Sequence, residues 1–451
     1  MKKILCGMLA VCMLILATGC NVFSSDIVNQ LRPPHLTGDQ QEVQQALDEF
    51  LDPTAKQQEY TLKYPRRGNY RSAFILKDID GDNTEEAIAF YSQKQDGFAH
   101  INLLRKTDGK WKSVADVEGI SSEVSEVEFG DLDADGNIEI FIAWSIYDNR
   151  DRQLISYSLQ NDSIAKIGSD MICNSFYVGD ITASGSDDLL LLRNNSVRSH
   201  TTAQLKSIRN GKFIDLGTTK LDGFIQGFGN VQLGKLTDGI HGVYIDCVKE
   251  TSAVITELLY WDGQQLVAPF YNSSTNTSPT TQRDSNIPSM DIDNDGEIEW
   301  PLSTRLPGYE TERAQDSQWL TCWLSWNYTL QKVQREFYCI MNIDDHYYFR
   351  LDNSWVSEKN GVVTTQITAA YNSAKRTLTL STMDTNHEKN EFLQIKTTLI
   401  GEQQNDDETE DRKFEELRKP QNKYITHKVW YDPTYFNLDL EIIQYNLFYL
   451  P

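Results

Sequence analysis

Three short stretches of the chain carry acidic residues at a spacing that could hold a metal ion. Each stretch is nine residues long, has acids at its first, third, fifth and ninth positions, and has a residue at the seventh whose carbonyl can add a ligand. Calcium takes about six to eight oxygen ligands, and a tight Gly-containing loop can supply them. The predicted calcium ligands are Asp78, Asp80, Asp82, the Thr84 carbonyl and Glu86; Asp131, Asp133, Asp135, the Asn137 carbonyl and Glu139; and Asp291, Asp293, Asp295, the Glu297 carbonyl and Glu299.

Carboxylates this close repel one another unless a cation lies among them. The alternative is that the acids only form solvated turns, because Asp, Asn and Gly favour turns in any case. Three near-copies at one phase of a repeat favour calcium, and we expect two to three ions with a structural role. Two further copies lack most of the acids. One keeps Asp180 but has Thr182 and Ser184 in place of two carboxylates, and the other has Lys235 in place of the first Asp.

No catalytic motif accompanies these acids. The chain has no phosphate-binding Gly loop, no HExxH and no GxSxG, and His241, His346 and His427 have no partner at metal-ligand spacing. A glycosidase-like carboxylate pair could be present among so many acids, but their abundance makes any pairing uninformative. Six tryptophans could line a sugar-binding face, although packing in the core is the favoured interpretation: Trp111, Trp144, Trp261, Trp300, Trp323 and Trp326.

The acidic stretches belong to a longer repeat. Five segments each read as an apolar strand, an Asp-rich turn and another apolar strand, and their first positions are 53, 49, 55 and 56 residues apart. Asn-Gly and Asp-Gly turns between them, such as Asn210-Gly211, predict further hairpins. Four short antiparallel strands in a repeat of this length predict a blade of a β-propeller. We therefore expect a mainly β fold, with a propeller of about five four-stranded blades.

These segments resemble FG-GAP or VCBS repeats, the blades of integrin-α-type propellers. The resemblance covers about residues 60–342 and is most specific in the first, second and fifth copies. It implies a calcium-stabilised propeller that binds other molecules.

The N-terminus predicts export. Lys2 and Lys3 precede an uncharged apolar run over residues 4–17, which is too short to span a membrane and is typical of a signal peptide. Residues 16–20 resemble a bacterial lipobox, which implies that Cys20 carries the lipid anchor. The expected location is the outer face of the bacterial cytoplasmic membrane, or the outer membrane in a Gram-negative cell. The formal charge of −23 disfavours nucleic-acid binding.

The predicted organisation has four parts. Residues 1–19 form the signal peptide, 20–56 a tether with a short helix, 57–342 the propeller, and 343–451 a small α+β domain. Five apolar residues define the buried face of the helix: Val43, Ala46, Leu47, Phe50 and Leu51. Cys322 and Cys339 flank a predicted hairpin near Leu330, and both a disulfide and two free thiols are compatible with their positions.

The predicted function is that of a binding, adhesion or scaffolding module rather than an enzyme, with an extracellular protein or carbohydrate as its partner. Its membrane contact would be through the Cys20 lipid alone. Two alternatives remain: an exported enzyme that acts on polysaccharide, and an accessory lipoprotein of an envelope or transport complex. Fold resemblance does not decide between them.

Overall fold

A computed structural model describes most of the chain. The described residues are 38–52, 60–94, 97–146, 150–160, 162–249, 253–313, 316–359, 362–384, 386, 388–400, 412–417 and 425–451. Cys20 and the predicted signal peptide lie outside them. Within these residues the fold is mainly β, as predicted, and it contains several four-stranded antiparallel sheets. No helix in the described part of the chain has the length and apolarity needed to cross a membrane.

The chain divides into two compact units. The first comprises residues up to 64 with 72–78 and 82–120, and the second comprises 65–71, 79–81 and 121–451.

The first unit contains helix α1 (Gly38–Leu51) and sheet 1. The strands of sheet 1 are β1 (Tyr60–Leu62), β2 (Phe74–Lys77), β3 (Glu86–Gln93), β4 (His100–Thr107) and β5 (Lys110–Glu118). Four of the five predicted apolar residues of the helix are buried in a common core with the sheet, whereas Phe50 is 44% exposed.

The second unit begins with three four-stranded antiparallel sheets, each a meander of consecutive strands. Sheet 2 is formed by β6 (Val124–Gly130), β7 (Glu139–Ser145), β8 (Arg152–Gln160) and β9 (Ser163–Cys173). Sheet 3 is formed by β10 (Ser175–Gly179), β11 (Asp188–Asn195), β12 (His200–Arg209) and β13 (Lys212–Leu221). Sheet 4 is formed by β14 (Ile225–Thr237), β15 (Ile240–Lys249), β16 (Val254–Trp261) and β17 (Leu266–Val267).

Consecutive sheets of the second unit share hydrophobic cores. Phe141 of sheet 2 and Leu191 of sheet 3 belong to one buried cluster, and Leu205 of sheet 3 and Ile245 of sheet 4 belong to the next. The second strand of each sheet is an almost continuous apolar run because both of its faces are covered. This stacking fits propeller blades, while the closure of the sheets into a ring stays a prediction.

Sheet 5 continues the series and has five strands. It is formed by β18 (Trp300–Arg305), β19 (Trp319–Asn327), β20 (Lys332–Asn342), β21 (Tyr347–Leu351) and the last strand of the chain, β29 (Leu447–Tyr449). The predicted boundary after residue 342 therefore falls between β20 and β21, which are hydrogen-bonded neighbours, with Asn342 opposite Tyr347. The C-terminal strand returns to this sheet by pairing with β21.

The rest of the C-terminal region is also mainly β. It contains the hairpin β22 (Val356–Lys359) and β23 (Val362–Thr365), a sheet of β24 (Ile367–Asn372), β25 (Thr377–Met383), β26 (Lys389–Leu399), β27 (Glu415–Glu416) and β28 (Ile425–Tyr431), and helix α2 (Leu440–Asn446). Strand β27 lies in an acidic stretch, residues 406–418, of which only 412–417 are described. Leu320 of sheet 5 and Leu378 of β25 share one buried core.

Candidate metal centres in the Asp loops

Each predicted acidic stretch ends where one of the first strands of its sheet begins. We call residues 78–86, 131–139, 180–188 and 291–299 loops 1, 2, 3 and 5. Loop 2 connects β6 to β7, loop 3 connects β10 to β11, and loop 5 precedes β18. Loops 2, 3 and 5 lie wholly within the second unit.

Loop 2 is wound around its first carboxylate. The amide of Asp135 donates to Oδ1 of Asp131 over 3.2 Å, and the amide of Gly136 donates to Oδ2 over 3.0 Å. The chain turns this tightly because Ala134 (φ 56°) and Gly136 (φ 89°) both adopt left-handed conformations. Asp131 therefore organises the loop backbone while it remains available as an acidic ligand.

Loop 5 repeats this hydrogen-bond pattern. The amides of Asp295 and Gly296 each donate to the Asp291 carboxylate over 3.0 Å, and Asn294 (φ 62°) and Gly296 (φ 89°) take the two left-handed positions. The fifth-position acid is also held in the same way in both loops. Its Oδ1 accepts from the amide two residues later, over 2.8 Å in Asp135 and 2.8 Å in Asp295. The two loops are thus copies in structure as well as in sequence.

The ninth-position glutamates of loops 2 and 5 are buried beneath the loops and accept hydrogen bonds from the loop backbone. Glu139 and Glu299 are 5% and 2% exposed, and each accepts a hydrogen bond from the amide of the loop's second residue, over 2.8 Å from Leu132 and 3.0 Å from Ile292. Burial, together with a smaller effect of the neighbouring aspartates, raises the pKa of Glu139 to about 7 and that of Glu299 to about 8. Each carboxylate thus lies where negative charge is costly unless a cation compensates it.

The third-position aspartates point into the same space. Burial, followed by repulsion from the other two aspartates of the loop, raises the pKa of Asp133 and of Asp293. Oδ1 of Asp133 is buried and receives no hydrogen bond from any described residue. An oxygen in that position lacks a partner that a metal ion would provide.

Carboxylate oxygens meet closely in loops 2 and 5. The oxygens lie within 4.8 Å of one another in two groups: Asp131, Asp133 and Glu139, and Asp291, Asp293 and Asp295. Asp135 and Glu299 lie in the same loops but outside these groups, and the ligand set of loop 1, with Asp78, Asp80, Asp82 and Glu86, stays a prediction. The roles of the Thr84, Asn137 and Glu297 carbonyls stay predictions. The donor sets consist of oxygen alone, which suits a hard cation such as calcium and not a transition metal that prefers nitrogen or sulfur.

Loop 3 has the same backbone hydrogen bonds but lacks the acids at its third and fifth positions. The amides of Ser184 and Gly185 donate to the two oxygens of Asp180 over 2.8 and 3.0 Å, and Ala183 and Gly185 are left-handed. Where loops 2 and 5 have carboxylates, hydroxyl groups bind each other. Thr182 Oγ1 lies 3.1 Å from Ser184 Oγ and 2.9 Å from the Asp188 carboxylate. Hydrogen bonds therefore fill the space in which the other loops would hold an ion.

Asp188 is a further acid of loop 3 that the repeat pattern in the sequence did not predict as a site residue. This residue is buried, its Oδ2 accepts from the Thr182 amide over 2.8 Å, and burial raises its pKa to about 6. The available signal was its position, because Asp188 follows Asp180 by the same eight residues that separate Glu139 from Asp131.

The fourth copy is no longer a loop of this kind. Strands β14 and β15 pair as far as Thr237 and Ile240, so Asp238 and Gly239 form a tight hairpin turn. The Lys235 ammonium group lies 2.8 Å from the Asp238 carboxylate on the surface. The Lys235 side chain therefore points outward to the solvent.

Hydrogen bonds connect loops 2, 3 and 5 and the hairpin turn of the fourth copy, each to the next along the series. The amide of Asp187 in loop 3 donates to the carbonyl of Asp131 in loop 2 over 2.8 Å. His241 Nδ1 lies 2.6 Å from the carbonyl oxygen of Asp180, and the Lys235 amide donates to the Gly296 carbonyl over 2.8 Å. The four copies therefore form a hydrogen-bonded series along one edge of the stacked sheets.

The remaining sequence candidates have structural surroundings. Five of the six tryptophans are buried, and Trp261 is half-buried. His427 is buried against Thr397, and burial lowers its pKa to about 4. Cys322 and Cys339 are free thiols: they lie on paired strands, but Cys322 is opposite Tyr338 and Cys339 is opposite Thr321, so their side chains point to opposite faces.

Comparisons with known proteins add no identity. No protein-family model matches the chain, and no curated protein matches it. Among solved structures, the chain is similar to the rhamnogalacturonan lyase PL11 of Bacillus licheniformis, with 14% sequence identity and a TM-score of 0.30, over 73% of this chain and 71% of that one. A similarity at this level carries no argument about function.

Proposed function

We propose that the protein is a calcium-stabilised binding or scaffolding module, built from FG-GAP or VCBS-type repeats, and not an enzyme. In this proposal the repeats close into a propeller, and the Cys20 lipid displays it outside the cytoplasmic membrane. The observation that carries the calcium assignment is the match between loops 2 and 5. Both surround a first aspartate with their own amides, and both bury a closing glutamate beside further acids.

Calcium has a structural role in this proposal. Loop 2 joins the first two strands of its sheet, and loop 5 leads into the first strand of its sheet. An ion bound in either loop would fix this connection and neutralise the crowded acids. An ion that binds the folded loops and not the unfolded chain stabilises the protein by mass action. The all-oxygen donor sets supply the hard ligands that calcium requires. Loop 3 supports this assignment as an internal comparison, since its hydroxyl groups replace the charges that a cation would balance.

Thermal unfolding of the soluble chain, with residues 1–20 removed, tests the proposal. We expect millimolar calcium to raise the unfolding temperature and a chelator to lower it, with magnesium much less effective because it requires stricter octahedral geometry. Equal unfolding temperatures in chelator and in calcium would show that the acidic loops are turns without ions. Calorimetric titration then gives the ion count, for which we expect two to three.

A further inference from the structure

A second polar site lies at the far ends of the same strands. A cavity of about 390 Å³ opens where β8 and β14 begin and where β9 and β11 end, and its volume is within the range of small-ligand pockets. Its polar lining includes Arg67, Arg150, Arg152, Asn174, Asn194 and Gln226, all in the second unit.

The cavity is separated from the metal loops by the length of the strands. Strand β7 begins at Glu139 in loop 2 and ends at Ser145, which pairs with Arg152 of the cavity. Six residues of extended chain span roughly 20 Å. The cavity is therefore independent of the calcium ligands.

Positive charge is concentrated in this cavity, although the whole chain carries −23. Three arginines and one aspartate line it. The Arg152 side chain is buried, and its guanidinium group donates to the Asn174 carbonyl and lies 3.6 Å from the Glu126 carboxylate. Burial lowers the pKa of Arg152, and the nearby positive charge of Arg67 lowers it further. The Glu126 carboxylate interacts with both Arg152 and Arg67, and Asp151 also lines the cavity. The three arginines still outnumber these two carboxylates, and the net positive charge favours an anionic ligand.

The asparagine side chains of the cavity require a hydrogen-bond donor rather than an anion. Oδ1 of Asn174 accepts a hydrogen bond from the backbone amide of Asn194 over 2.6 Å, and the side-chain Nδ2 of Asn194 donates to the Ile225 carbonyl. Oδ1 of Asn194 is buried, and no described residue donates to it. A buried acceptor without a donor is costly, so a ligand that fits here should bring a hydrogen-bond donor. A carboxylate or sulfate ion alone has none, whereas a sugar hydroxyl does.

Apolar surface completes the lining. Phe228 forms part of the wall, and Val197 is 94% exposed beside it. Apolar side chains next to a few fixed polar groups are typical of small-molecule sites, because the apolar part contributes burial and the polar part orients the ligand.

We propose that this cavity binds an acidic sugar, with the carboxylate of a hexuronic acid against the arginines and a hydroxyl group donating to Asn194. Arginine matches a carboxylate with two parallel donors, and the amides pair with hydroxyls, which both donate and accept. Arg67 is suited to meet a ligand because its backbone is fixed on the edge of β6, where its amide donates to the Ser125 carbonyl over 2.9 Å, while its side chain is exposed.

Calorimetric or NMR titration of the soluble chain in excess calcium tests this site with three probes: glucuronate, glucose and sulfate. We expect glucuronate to bind at least about tenfold more tightly than glucose or sulfate, because only glucuronate supplies both the charge and the donor. R67Q should weaken glucuronate binding by about tenfold or more, the value of one charge-assisted hydrogen bond. R209Q, which changes an exposed arginine in the β12–β13 turn, is the matched control and should bind as the parent does.

Three outcomes would overturn the proposal. They are sulfate binding as tightly as glucuronate, glucose binding as tightly as glucuronate, and an R67Q protein that binds glucuronate unchanged. Failure to detect glucuronate at tens of millimolar would also overturn it. Repeating the titration with D133A separates this site from the metal proposal, because D133A alters loop 2 and should leave glucuronate affinity unchanged.

Discussion

Nη2 of Arg283 lies 2.9 Å from Oδ1 of Asp246, and both side chains are buried. Arg283 belongs to the long connection between β17 and β18, whereas Asp246 is on β15, so the ion pair fastens that connection to sheet 4. The same Asp246 accepts from the Thr256 hydroxyl over 2.7 Å and from the Ser289 amide over 2.9 Å. The connection leads into loop 5, which gives the pair a role in placing that loop.

Removing one partner of this buried pair should destabilise the fold strongly. R283A leaves the Asp246 carboxylate buried without its cation, which costs about 3–5 kcal/mol. Chemical denaturation in saturating calcium measures the loss. The control is R313A, because Arg313 forms an exposed pair with Asp316 that should contribute less than about 1 kcal/mol. Equal effects of the two substitutions would show that the Arg283–Asp246 pair does not fasten the connection.

A neighbouring carboxyl group should make stability depend on pH. Glu257 is completely buried, its Oε1 accepts from the Asp222 amide and the Ser278 hydroxyl over 2.8 Å each, and burial raises its pKa from 4.5 to about 7. The folded chain therefore holds this proton more tightly than the unfolded chain does. The contribution of Glu257 to stability is complete below pH 4.5 and is lost as the pH rises through about 7.

The E257Q variant isolates this contribution. Glutamine is neutral at every pH and has nearly the same shape, so the variant should gain stability relative to the parent as the pH rises from 4.5 to 7. Denaturation curves in saturating calcium measure the difference, since calcium holds the loop glutamates in one state. A constant difference between variant and parent over this range would mean that Glu257 does not titrate there.

Substitutions in different loops should change the calcium count unequally. D133A and D293A each remove a carboxylate from a complete donor set, so each should weaken or abolish binding of one ion. T182A changes a loop that already has hydroxyls in place of two acids, and K235A changes a hairpin turn, so neither should alter the count. Calorimetric titration of the four variants with calcium gives the number of bound ions for each. Equal losses in T182A and D293A would contradict the distinction between loops 3 and 5.

The anchor can be tested at Cys20, which lies outside the described residues. C20S should release the protein from membranes, because the proposed lipid is its attachment. Fractionation after a high-salt wash measures this, with C173S as the control, since Cys173 is a buried thiol far along the chain. A C20S protein that still sediments with membranes would rule out the lipid as sole anchor.

Local patterns in the sequence were sufficient to predict the mainly β fold and the places of the acidic loops. The hairpin around Leu330 is also confirmed, because strand alternation and turn residues act over short distances. Asp188 was missed because a loop can replace carboxylates by hydroxyls and still keep its closing acid. The predicted boundary after residue 342 lies in the turn between β20 and β21, which are paired strands of one sheet, and the division into domains there stays a prediction.

Residues that meet only through the stacking of sheets could not be predicted. Arg67, Arg152 and Asn194 are far apart in the chain, and no spacing rule connects them. Their meeting depends on strand lengths and on how the sheets pack, neither of which a local pattern specifies. The pairing of Arg283 with Asp246 has the same origin.

Hydrogen bonds connect loops 2, 3 and 5 through the hairpin turn of the fourth copy, and this connection affects how the series tolerates mutation. Each copy is held by hydrogen bonds to its neighbours as well as by its own contacts, so under the proposed calcium binding a copy could lose its ion and stay in place. Loop 3 and the hairpin of the fourth copy both lack acids that the other copies have. Asp180 and Lys235 nevertheless form hydrogen bonds to the adjacent copies. In such a series the interaction between neighbours, and not each unit alone, decides stability. If the loops bind calcium as proposed, mutations can accumulate in one copy at a time, and the number of ions can decline in single steps while the sheets stay assembled.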